Sequence, residues 1–396
     1  MKYKLADIFE KPISGEWGEE LREGEKGTKV IRTTNFTNLG RLDLNNIVER
    51  KIDLEKFQNK VLKLGDIIIE KSGGSPTQPV GRTVIFDVDS NEKYICNNFT
   101  AILRPINNVY PKYVLYLLKD LYNRKQVIKF QNKTTGIINL KLNDYLLNTE
   151  ITLPKLEIQK KIANLLDKSQ ELIDKRKAQI DVLDVLVKSR FIEMFGDPVS
   201  NPMNWEKKKL SDECNIITGN TPSRKVSEYY GDYIEWIKSD NINTPNRYLT
   251  VAEEYLSEKG LQVGRSVEKN SILMTCIAGS IKCIGNVAIA DRKVAFNQQI
   301  NAIEPVNNNV LFMFEQFGLS QRYIQSTINM SLKGILSKGQ LSELEFIFPP
   351  LDLQNQFAAF VNQVDKLKFE IENTIKVLEK SKILYVKNCF NMVIYS

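Results

Sequence analysis

The clearest pattern in the chain is a heptad repeat of apolar residues near its middle. The residues that recur every seven positions are Leu166, Ile173, Ile180, Val187 and Met194. Further apolar residues widen this stripe, namely Ile162, Leu165, Leu172, Leu183 and Leu186. The spacing predicts an amphipathic helix from about Glu157 to Phe195, roughly 55–60 Å long. A Leu-Pro pair precedes this helix and Gly-Asp-Pro ends it.

A second long helix is predicted near the C-terminus, from about Leu353 to Asn388. Its apolar residues follow a 3-4 spacing, namely Phe357, Phe360, Val364, Leu367, Ile371, Ile375 and Leu378. A single helix cannot bury such a stripe alone, so we expect the two helices to form an intramolecular coiled coil. The packing would be antiparallel if the two halves of the chain are related by a rough two-fold axis. The alternative, that each helix packs only on its own globular module, stays open at this point.

The segments before each long helix mix strand and helix signals. VLKLGDIIIEKSGG (61–74) and GRTVIFDV (81–88) are typical of short strands around a Gly-rich turn. KYVLYLLKDLYNRKQVIKF (112–130) has the apolar spacing of a helix. LFMFEQFGLSQRYIQSTI (311–328) lies at the equivalent place in the second half. Each of these modules is therefore predicted to be mixed α and β.

The two halves of the chain contain matching blocks in the same order, which indicates an internal repeat. The matched blocks are KLAD (4–7) with KLSD (209–212), DII (66–68) with SIL (271–273), NNFTAILRP (97–105) with NQQINAIEP (297–305), TTGIINL (134–140) with LKGILSK (332–338), and LPKLEIQ (153–159) with FPPLDLQ (348–354). We therefore expect an α+β fold with four parts. They are module 1 (1–152), a central helix (153–197), module 2 (198–347) and a C-terminal helix (348–396).

Composition narrows the possible chemistry. The chain has 396 residues, 42% of them hydrophobic, so two or three domains with real cores are expected. Its net charge of +7 permits an anionic partner. It has no histidine, which excludes Ser-His and Cys-His couples and the HExxH zinc motif. The five cysteines form no CxxC pair, so buried reduced thiols are the simplest interpretation.

Several sequence features of enzymes and of membrane or secreted proteins are missing. No apolar run approaches the roughly 18 residues of a membrane span, and the N-terminus lacks the apolar core of a secretory signal. A cytoplasmic protein is therefore expected. No GxGxxG, GxxxxGK[ST] or [DNS]PP[YF] sequence is present. Asp197, Glu206 and Lys208 could be imagined as a nuclease triad, but a helix stop followed by a charged loop explains them better.

The segment around the central helix resembles a known family. LPKLEIQKKIANLLDKSQELIDKRKAQIDVLDVLVKSRFIEMFGDP (153–198) combines an aliphatic-Pro start, an E-x-Q-x-x-I-A-x-x-L-D core, a Lys/Arg-rich middle and F-x-x-M-F-G-D-P. FPPLDLQNQFAAFVNQVDKLKFEIE (348–372) has a similar start. Together they resemble type I restriction-modification specificity (S) subunits over essentially the whole chain. The modules then correspond to two target-recognition domains and the helices to spacers.

The resemblance implies a subunit that is not itself a catalyst. Each recognition domain would read one half of a split, asymmetric site in double-stranded DNA. The helices would set the gap between the halves and dock two methyltransferase (modification) subunits, which use S-adenosylmethionine. Motor-nuclease (restriction) subunits, which use ATP and Mg, would join them. No cofactor is expected in this chain, and neither the target sequence nor the spacer length follows from the sequence.

Candidate DNA-reading residues are the polar and basic side chains of turn-like segments, because Lys and Arg bind phosphates and Arg, Asn and Gln read base edges. In module 1 they are Arg32, Thr33, Thr34, Asn35, Lys71, Ser72, Gln78, Arg82, Gln131, Lys133, Thr134 and Thr135. In module 2 they are Lys238, Ser239, Asn241, Thr275, Ser280, Lys282, Ser331 and Lys333. Thr218–Arg224 is a weaker further segment. No catalytic or metal-binding residue is expected.

One other interpretation of these segments and one other function remain open on the sequence alone. The segments above could be ordinary solvated loops. The chain could then be a coiled-coil scaffold that joins protein partners through its modules without reading DNA. Sequence-specific, salt-sensitive DNA binding by the assembled complex would separate a DNA reader from a scaffold.

Overall fold

The computed structural model describes residues 2–75, 77–134, 137–328 and 334–391. Contacts divide the chain into two compact units, Met1–Arg176 with Thr374–Ser396, and Lys177–Asn373. Each unit contains one globular module and parts of both long helices. Unit 1 therefore holds module 1, and unit 2 holds module 2.

Unit 1 is built from short strands, two short helices and the beginning of a long one. The strands are β1 (Lys2–Lys4), β2 (Ile13–Ser14), β3 (Thr28–Ile31), β4 (Val48–Arg50), β5 (Ile67–Glu70), β6 (Ser72–Gly73), β7 (Thr83–Ile85), β8 (Tyr94–Cys96), β9 (Thr100–Leu103), β10 (Gln131–Thr134), β11 (Ile137–Leu140) and β12 (Glu150–Thr152). The helices are α1 (Pro111–Asn123), α2 (Leu142–Asn148) and α3 (Leu156–Phe195). The strands form the sheets β2-β9-β5-β7, β4-β3-β8, β10-β11-β6 and β1-β12.

The core of module 1 lies between helix α1 and the sheet that contains β5. Every residue of β5 is buried, as expected of a short apolar run in a central strand. The apolar face of α1 covers this sheet, and Val114, Leu117 and Leu118 are at most 1% exposed. The helix ends at Asn123, earlier than the predicted segment 112–130, because Lys125 has a left-handed φ of 60° that interrupts it.

Unit 2 repeats this construction. Its strands are β13 (Lys207–Lys209), β14 (Cys214–Thr218), β15 (Tyr230–Gly231), β16 (Ile234–Ile237), β17 (Tyr255–Leu256), β18 (Ser266–Val267), β19 (Ile272–Thr275), β20 (Val287–Ile289), β21 (Val294–Phe296), β22 (Ile300–Pro305) and β23 (Glu345–Ile347). The helices that follow α3 are α4 (Leu210–Glu213), α5 (Glu258–Val263), α6 (Val310–Leu319), α7 (Gln321–Ser326), α8 (Lys338–Glu343) and α9 (Leu351–Asn391).

The strand orders of the two modules confirm the internal repeat. The sheet β14-β22-β19-β20 matches β2-β9-β5-β7, and β13-β23 matches β1-β12. Strand β16 runs parallel to β21, as β3 runs parallel to β8. Module 2 differs in the sheet around β16. There β17 takes the place of β4, and β15 and β18 extend the sheet from three strands to five. The mixed α and β fold inferred for each module is therefore observed.

The long helices α3 and α9 pack together and run antiparallel, as predicted. In unit 1, Lys382 Nζ donates a hydrogen bond to Gln170 Oε1 at 2.6 Å. In unit 2, Lys368 Nζ donates to Asp184 Oδ1. Rising residue numbers on α3 therefore meet falling numbers on α9.

Each long helix packs on its own module near its beginning, as in the alternative weighed above, and on the other module near its end. In unit 1, the Phe390 ring of α9 lies 5.4 Å from the Tyr113 ring of α1. In unit 2, the Phe191 ring of α3 lies 5.3 Å from Phe312 of α6 and 5.4 Å from Phe357 of α9. The core of each unit is therefore shared between a module and the helix pair.

Two repeat-equivalent glutamines attach the modules to the long helices. Gln159 of α3 accepts a hydrogen bond from the Tyr110 backbone N at 2.8 Å. Gln354 of α9 accepts one from the Asn309 backbone N at 2.8 Å. Both glutamines are 1% exposed. Each holds the residue that caps a module helix, α1 or α6, against the first turn of a long helix.

The apolar stripe of α3 is narrower than predicted. Leu166, Ile173 and Val187 are at most 2% exposed. The prediction that Leu165, Leu172 and Leu186 widen the packed stripe is wrong, because these side chains are 43%, 40% and 44% exposed. Leu166 belongs to the core of module 1 and Val187 to the core of module 2, and the three exposed residues lie about 100° around the helix from this buried face. Among the described residues, no helix is both long and apolar enough to span a bilayer.

Candidate nucleic-acid interface

The candidate site of module 1 lies at one edge of its sheets, where the chain leaves β2, β3 and β5. Here Gly15 N donates to Thr100 O at 3.2 Å, and Asn97 N donates to Ile31 O at 2.9 Å. A Cβ on Gly15 would lie 2.1 Å from Asn97 O. Only glycine therefore fits at this crossing, where the segment after β2 passes the segment between β8 and β9. These contacts bring the polar loops after the three strands together.

Module 2 repeats this crossing at the equivalent edge. Gly219 N donates to Ile300 O at 3.0 Å, and Asn297 N donates to Ile237 O at 3.0 Å. A Cβ on Gly219 would also lie 2.1 Å from the Asn297 carbonyl oxygen. The two modules therefore present corresponding loops on the same scaffold.

A repeated turn fixes the first loop of each edge. The Arg32 backbone N donates to Asn35 Oδ1 at 2.9 Å, and the Lys238 backbone N donates to Asn241 Oδ1 at 3.0 Å. The two asparagines are 2% and 7% exposed, and Asn35 Nδ2 also donates to Asp43 O at 3.0 Å. These asparagines shape the loops, while Arg32 and Lys238 start them.

Two cations of the module 1 edge bond neutral oxygen atoms, which leaves their charge uncompensated by those contacts. Arg32 Nη2 donates to Asn46 O at 3.1 Å, and Lys71 Nζ donates to Ser14 Oγ. Burial lowers the pKa of Lys71, and repulsion from Lys60 adds to this effect. An anion at this edge would therefore meet positive charge that is already partly dehydrated.

The third cation proposed for this edge, Arg82, is already paired. Its Nε and Nη2 atoms lie 3.0 and 3.1 Å from the two carboxylate oxygens of Glu70. The side chains of Arg82 and Glu70 are 19% and 4% exposed. Arg82 Nη2 also reaches Thr33 O at 3.4 Å. Through the contact with Thr33 O, this ion pair supports the loop that begins at Arg32.

At the corresponding place in module 2, the described contacts are hydrogen bonds between neutral side chains. Thr275 Oγ1 and Asn286 Nδ2 both donate to Asn243 Oδ1, at 3.3 and 2.8 Å. The backbone N of Thr275 pairs with Asn286 O, just as Glu70 N pairs with Arg82 O. The two edges therefore share a backbone and differ in side-chain chemistry.

Module 2 adds aromatic rings to its positive edge. Arg224 lies over the Tyr230 ring at 4.3 Å and over the Trp236 ring at 5.0 Å. Arg224 and Lys238 share one carboxylate, Glu254, which leaves excess positive charge. Rings next to guanidinium and ammonium groups are common where proteins bind nucleic acid.

Glutamine side chains of α7 bond the second loop of module 2, which contains Ser280 and Lys282. Gln321 Nε2 donates to the carbonyl oxygens of Lys282 and Ile284, both at 3.2 Å. Ser280 and Lys282 are exposed on this loop.

The structure sorts the candidate DNA-reading residues by accessibility. The exposed ones are Thr34, Gln78, Ser280 and Lys282. The half-buried ones are Arg32, Thr33, Lys71, Ser72, Arg82, Gln131, Lys238 and Ser239. Buried side chains belong to Asn35, Asn241 and Thr275, and they hold loops from inside. Thr135, Ser331 and Lys333, and the side chains of Lys133 and Thr134, lie outside the described residues.

The predicted segments of module 1 meet one another at the edge. Besides the Arg82–Thr33 contact, Ser72 Oγ bonds Asn139 Oδ1 at 2.5 Å, and Gln131 Nε2 donates to Val80 O at 2.9 Å. Sequence reasoning missed Ser14 and Asn139. It also missed Gly15 and Gly219, whose matching positions at the starts of the two halves were an available signal.

Other candidate chemistry has structural explanations. Asp197 accepts hydrogen bonds from the backbone N of Val199 and of Ser200, at 3.0 and 2.8 Å. These bonds, led by that from Ser200, hold the pKa of Asp197 low. Lys208 pairs with Glu213 at 2.7 Å. In the part of the chain that the structure describes, no group of three or more Cys, Asp or Glu could hold a metal ion, and all five cysteines are free thiols.

Comparisons with known proteins agree with this geometry. The type I restriction modification DNA specificity domain matches the chain twice, at residues 1–183 and 202–380. The MjaIX specificity subunit of Methanocaldococcus jannaschii is 30% identical over 196 residues, which span 48% of this chain and 44% of that subunit. The putative MjaX specificity subunit of the same organism is 26% identical over 96% of this chain and 95% of its own length.

Solved structures share the fold. An S subunit from M. genitalium superimposes with a TM-score of 0.55 at 16% identity, covering 98% of this chain and 96% of its own. A chain from a study of complex assembly and conformational transition in the type I R-M system gives a TM-score of 0.63 at 15% identity, with the same coverage. With its two matched domains and repeated polar edges, this chain belongs to the type I restriction-modification DNA specificity family.

Proposed function

We propose that this chain is the DNA sequence-specificity subunit of a type I restriction-modification complex. Each module reads one half of a bipartite site in double-stranded DNA, and the chain itself does not catalyse methylation or cleavage. The observation that carries this proposal is the repeated edge, in which Gly15 and Gly219 place corresponding polar loops on one scaffold.

The two half-sites should differ in sequence. The loops of the edge are supported by an Arg82–Glu70 ion pair in module 1 and by a neutral hydrogen-bond network around Asn243 in module 2. Aromatic rings flank Arg224 in module 2. Since base edges are distinguished by the pattern of donors and acceptors that meets them, unlike edges support an asymmetric target.

We assign direct DNA contact to the accessible members of the candidate set. Arg32, Lys71, Lys238 and Lys282 would bind phosphates or guanine edges, because their charges are not fully matched by carboxylates. The exposed residues Thr34, Gln78 and Ser280 would add hydrogen bonds. Lys133, Thr134, Thr135, Ser331 and Lys333 remain proposed contacts on sequence grounds. Asn35, Asn241, Thr275 and Arg82 would position these groups.

The long helices would set the spacer and receive partner subunits. Leu172 of α3 and its repeat equivalent Leu367 of α9 are 40% and 50% exposed, and Val182 and Val377 are 66% and 62% exposed. Paired apolar residues on equivalent surfaces suit two copies of one partner. Those partners would be two modification subunits that use S-adenosylmethionine, with motor-nuclease subunits that use ATP and Mg. The complex would work in the cytoplasm.

The proposed division of labour follows the domain boundaries inferred from the sequence. Residues 1–152 and 198–347 would be the recognition domains, and 153–197 and 348–396 the spacer helices. The test is an exchange of residues 1–152 for the same domain of another family member, followed by sequencing of methylated adenines. One half-site should change. An unchanged target, or a change in both half-sites, would refute this division and favour a scaffold that does not read DNA.

A further inference from the structure

Each unit has an ion pair between a loop of its module and a long helix, at equivalent positions of the two modules. Arg41 lies six residues after Asn35, and Arg247 lies six residues after Asn241, the asparagines that close the repeated turn. Arg41 pairs with Asp174 of α3. Arg247 pairs with an aspartate of α9. Each arginine therefore connects a DNA-reading edge to a helix of its own unit.

The pair in unit 2 is the more protected one. The side chains of Arg247 and Asp365 are 12% and 28% exposed, and Arg247 also lies 5.8 Å from the Phe314 ring. The side chains of Arg41 and Asp174 are 52% and 37% exposed, with a separation of 3.0 Å. Solvent screens an exposed pair strongly and a part-buried pair less. The unit 2 pair should therefore contribute more.

A cleft lies between the loop that carries Arg247 and the long helices. The loop that carries Arg247 borders a cleft of about 860 Å³, whose far wall includes Val187 and Lys188 of α3 and Phe369 of α9. The ion pair with Asp365 crosses this region from the loop to α9. Close packing does not hold the loop where the cleft is open, so a specific polar contact fixes the loop against α9 there.

The equivalent loop of module 1 has additional contacts. A Cβ on Gly40 would lie 3.0 Å from Lys119 and 3.1 Å from Leu115, both on α1. Lys119 Nζ donates to Asn38 O at 3.2 Å. Direct packing against α1 thus supports this loop without the Arg41 pair.

Module 1 also has a second link, from α1 to α3, which has no counterpart among the described contacts of module 2. Tyr116 and Lys112 of α1 both bond the Asp167 carboxylate of α3, each at 2.6 Å. The repeat equivalent of Tyr116 is Glu315 of α6, which is 7% exposed and lines the cleft. Within the described residues, no hydrogen bond or ion pair of its carboxylate is found. Gln354 and the Phe191–Phe312 contact attach α6 to the long helices, and the Arg247 pair is the polar attachment of module 2 on the side of the cleft.

We propose that Arg247 and Asp365 form the positioning contact that fixes the angle of module 2 on its helices and so restricts the spacer length of the DNA target. This inference rests on the proposed function. Arg247 need not touch DNA. Loss of the contact should let module 2 tilt, so that sites with a spacer one base pair longer or shorter become acceptable while both half-site sequences stay the same.

The test compares methylation patterns directed by variants co-expressed with a cognate modification subunit. For Arg247→Ala, the ratio of methylation at sites one base pair off the preferred spacer to methylation at preferred sites should rise about fivefold. This corresponds to about 1 kcal/mol for a part-buried pair. The matched control Arg41→Ala should change this ratio less than about twofold, as expected of an exposed pair.

A charge exchange separates positioning from general destabilisation. Arg247→Asp alone should relax the spacer, and adding Asp365→Arg should restore the original one. An unchanged spacer in both Arg247 variants, with wild type directing bipartite methylation, would refute this inference alone. So would relaxation that the charge exchange does not reverse, or a changed half-site sequence. A wild-type chain that directs no bipartite methylation would instead refute the proposed function.

Discussion

Replacing Gln354 by alanine should destabilise unit 2, because this buried amide holds three groups at once. Its Oε1 accepts from Asn309 N, and its Nε2 donates to Pro349 O and to Asn308 Oδ1, all at 2.8 Å. A net contribution of about 1 kcal/mol per hydrogen bond gives a loss of roughly 3 kcal/mol. Polar groups that lose their hydrogen-bond partner, such as the Asn309 N–H, would lower the stability further.

Urea unfolding followed by fluorescence measures this loss. With a slope of about 2–3 kcal/mol per molar urea, the midpoint of unit 2 should fall by roughly 1 M. Gln363→Ala, on the exposed side of α9, is the control and should leave the midpoint unchanged. The equivalent variant Gln159→Ala should destabilise unit 1 instead. A Gln354→Ala midpoint equal to that of Gln363→Ala would refute the role given to this glutamine.

Arg82→Ala should lower the free energy of unfolding by about 3 kcal/mol or more, because it leaves the buried Glu70 carboxylate without its partner. Urea denaturation measures this loss, and the double variant Arg82→Met/Glu70→Leu should recover the stability. Burial raises the pKa of Cys276 to about 12, so iodoacetamide at about pH 8 should label Cys283 but not Cys276 until urea is added. Burial, Lys382 and Arg41 lower the pKa of Lys119 to about 8 from 10.5. Between these values the unfolded chain binds more protons, so wild-type stability in urea should rise with pH relative to Lys119→Met, and a parallel pH dependence would contradict this.

The long helices were predictable to within a few residues, because a seven-residue apolar period persists over many turns. Which residues on the surface of each helix stay exposed was not predictable. Leu165 and Leu172 are as apolar as Leu166, and only the packing reveals that the first two stay exposed. Apolar character indicates that a residue will be covered, but it does not identify what covers it. Leu166 belongs to the core that module 1 shares with the long helices, and Leu165 and Leu172 lie outside that core.

The polar edge was predictable in place more than in detail. Matching blocks in the two halves identified the correct loops, because each loop follows a strand of the repeated sheet. Polarity did not separate side chains that face solvent from those that bond inward, such as Asn35 and Thr275. Gln159 lies in a matched block, yet its hydrogen bond to Tyr110 N joins positions 49 residues apart. Such long-range pairings were not resolved by local pattern.

As a specificity subunit, this chain should select the sites that a partner enzyme methylates. The most direct measurement co-expresses it with a cognate modification subunit in an unmethylated host and maps modified adenines across the genome. A single bipartite motif that disappears when this chain is omitted is the predicted result. A soluble assembled complex that neither methylates nor binds a specific DNA sequence would contradict the account.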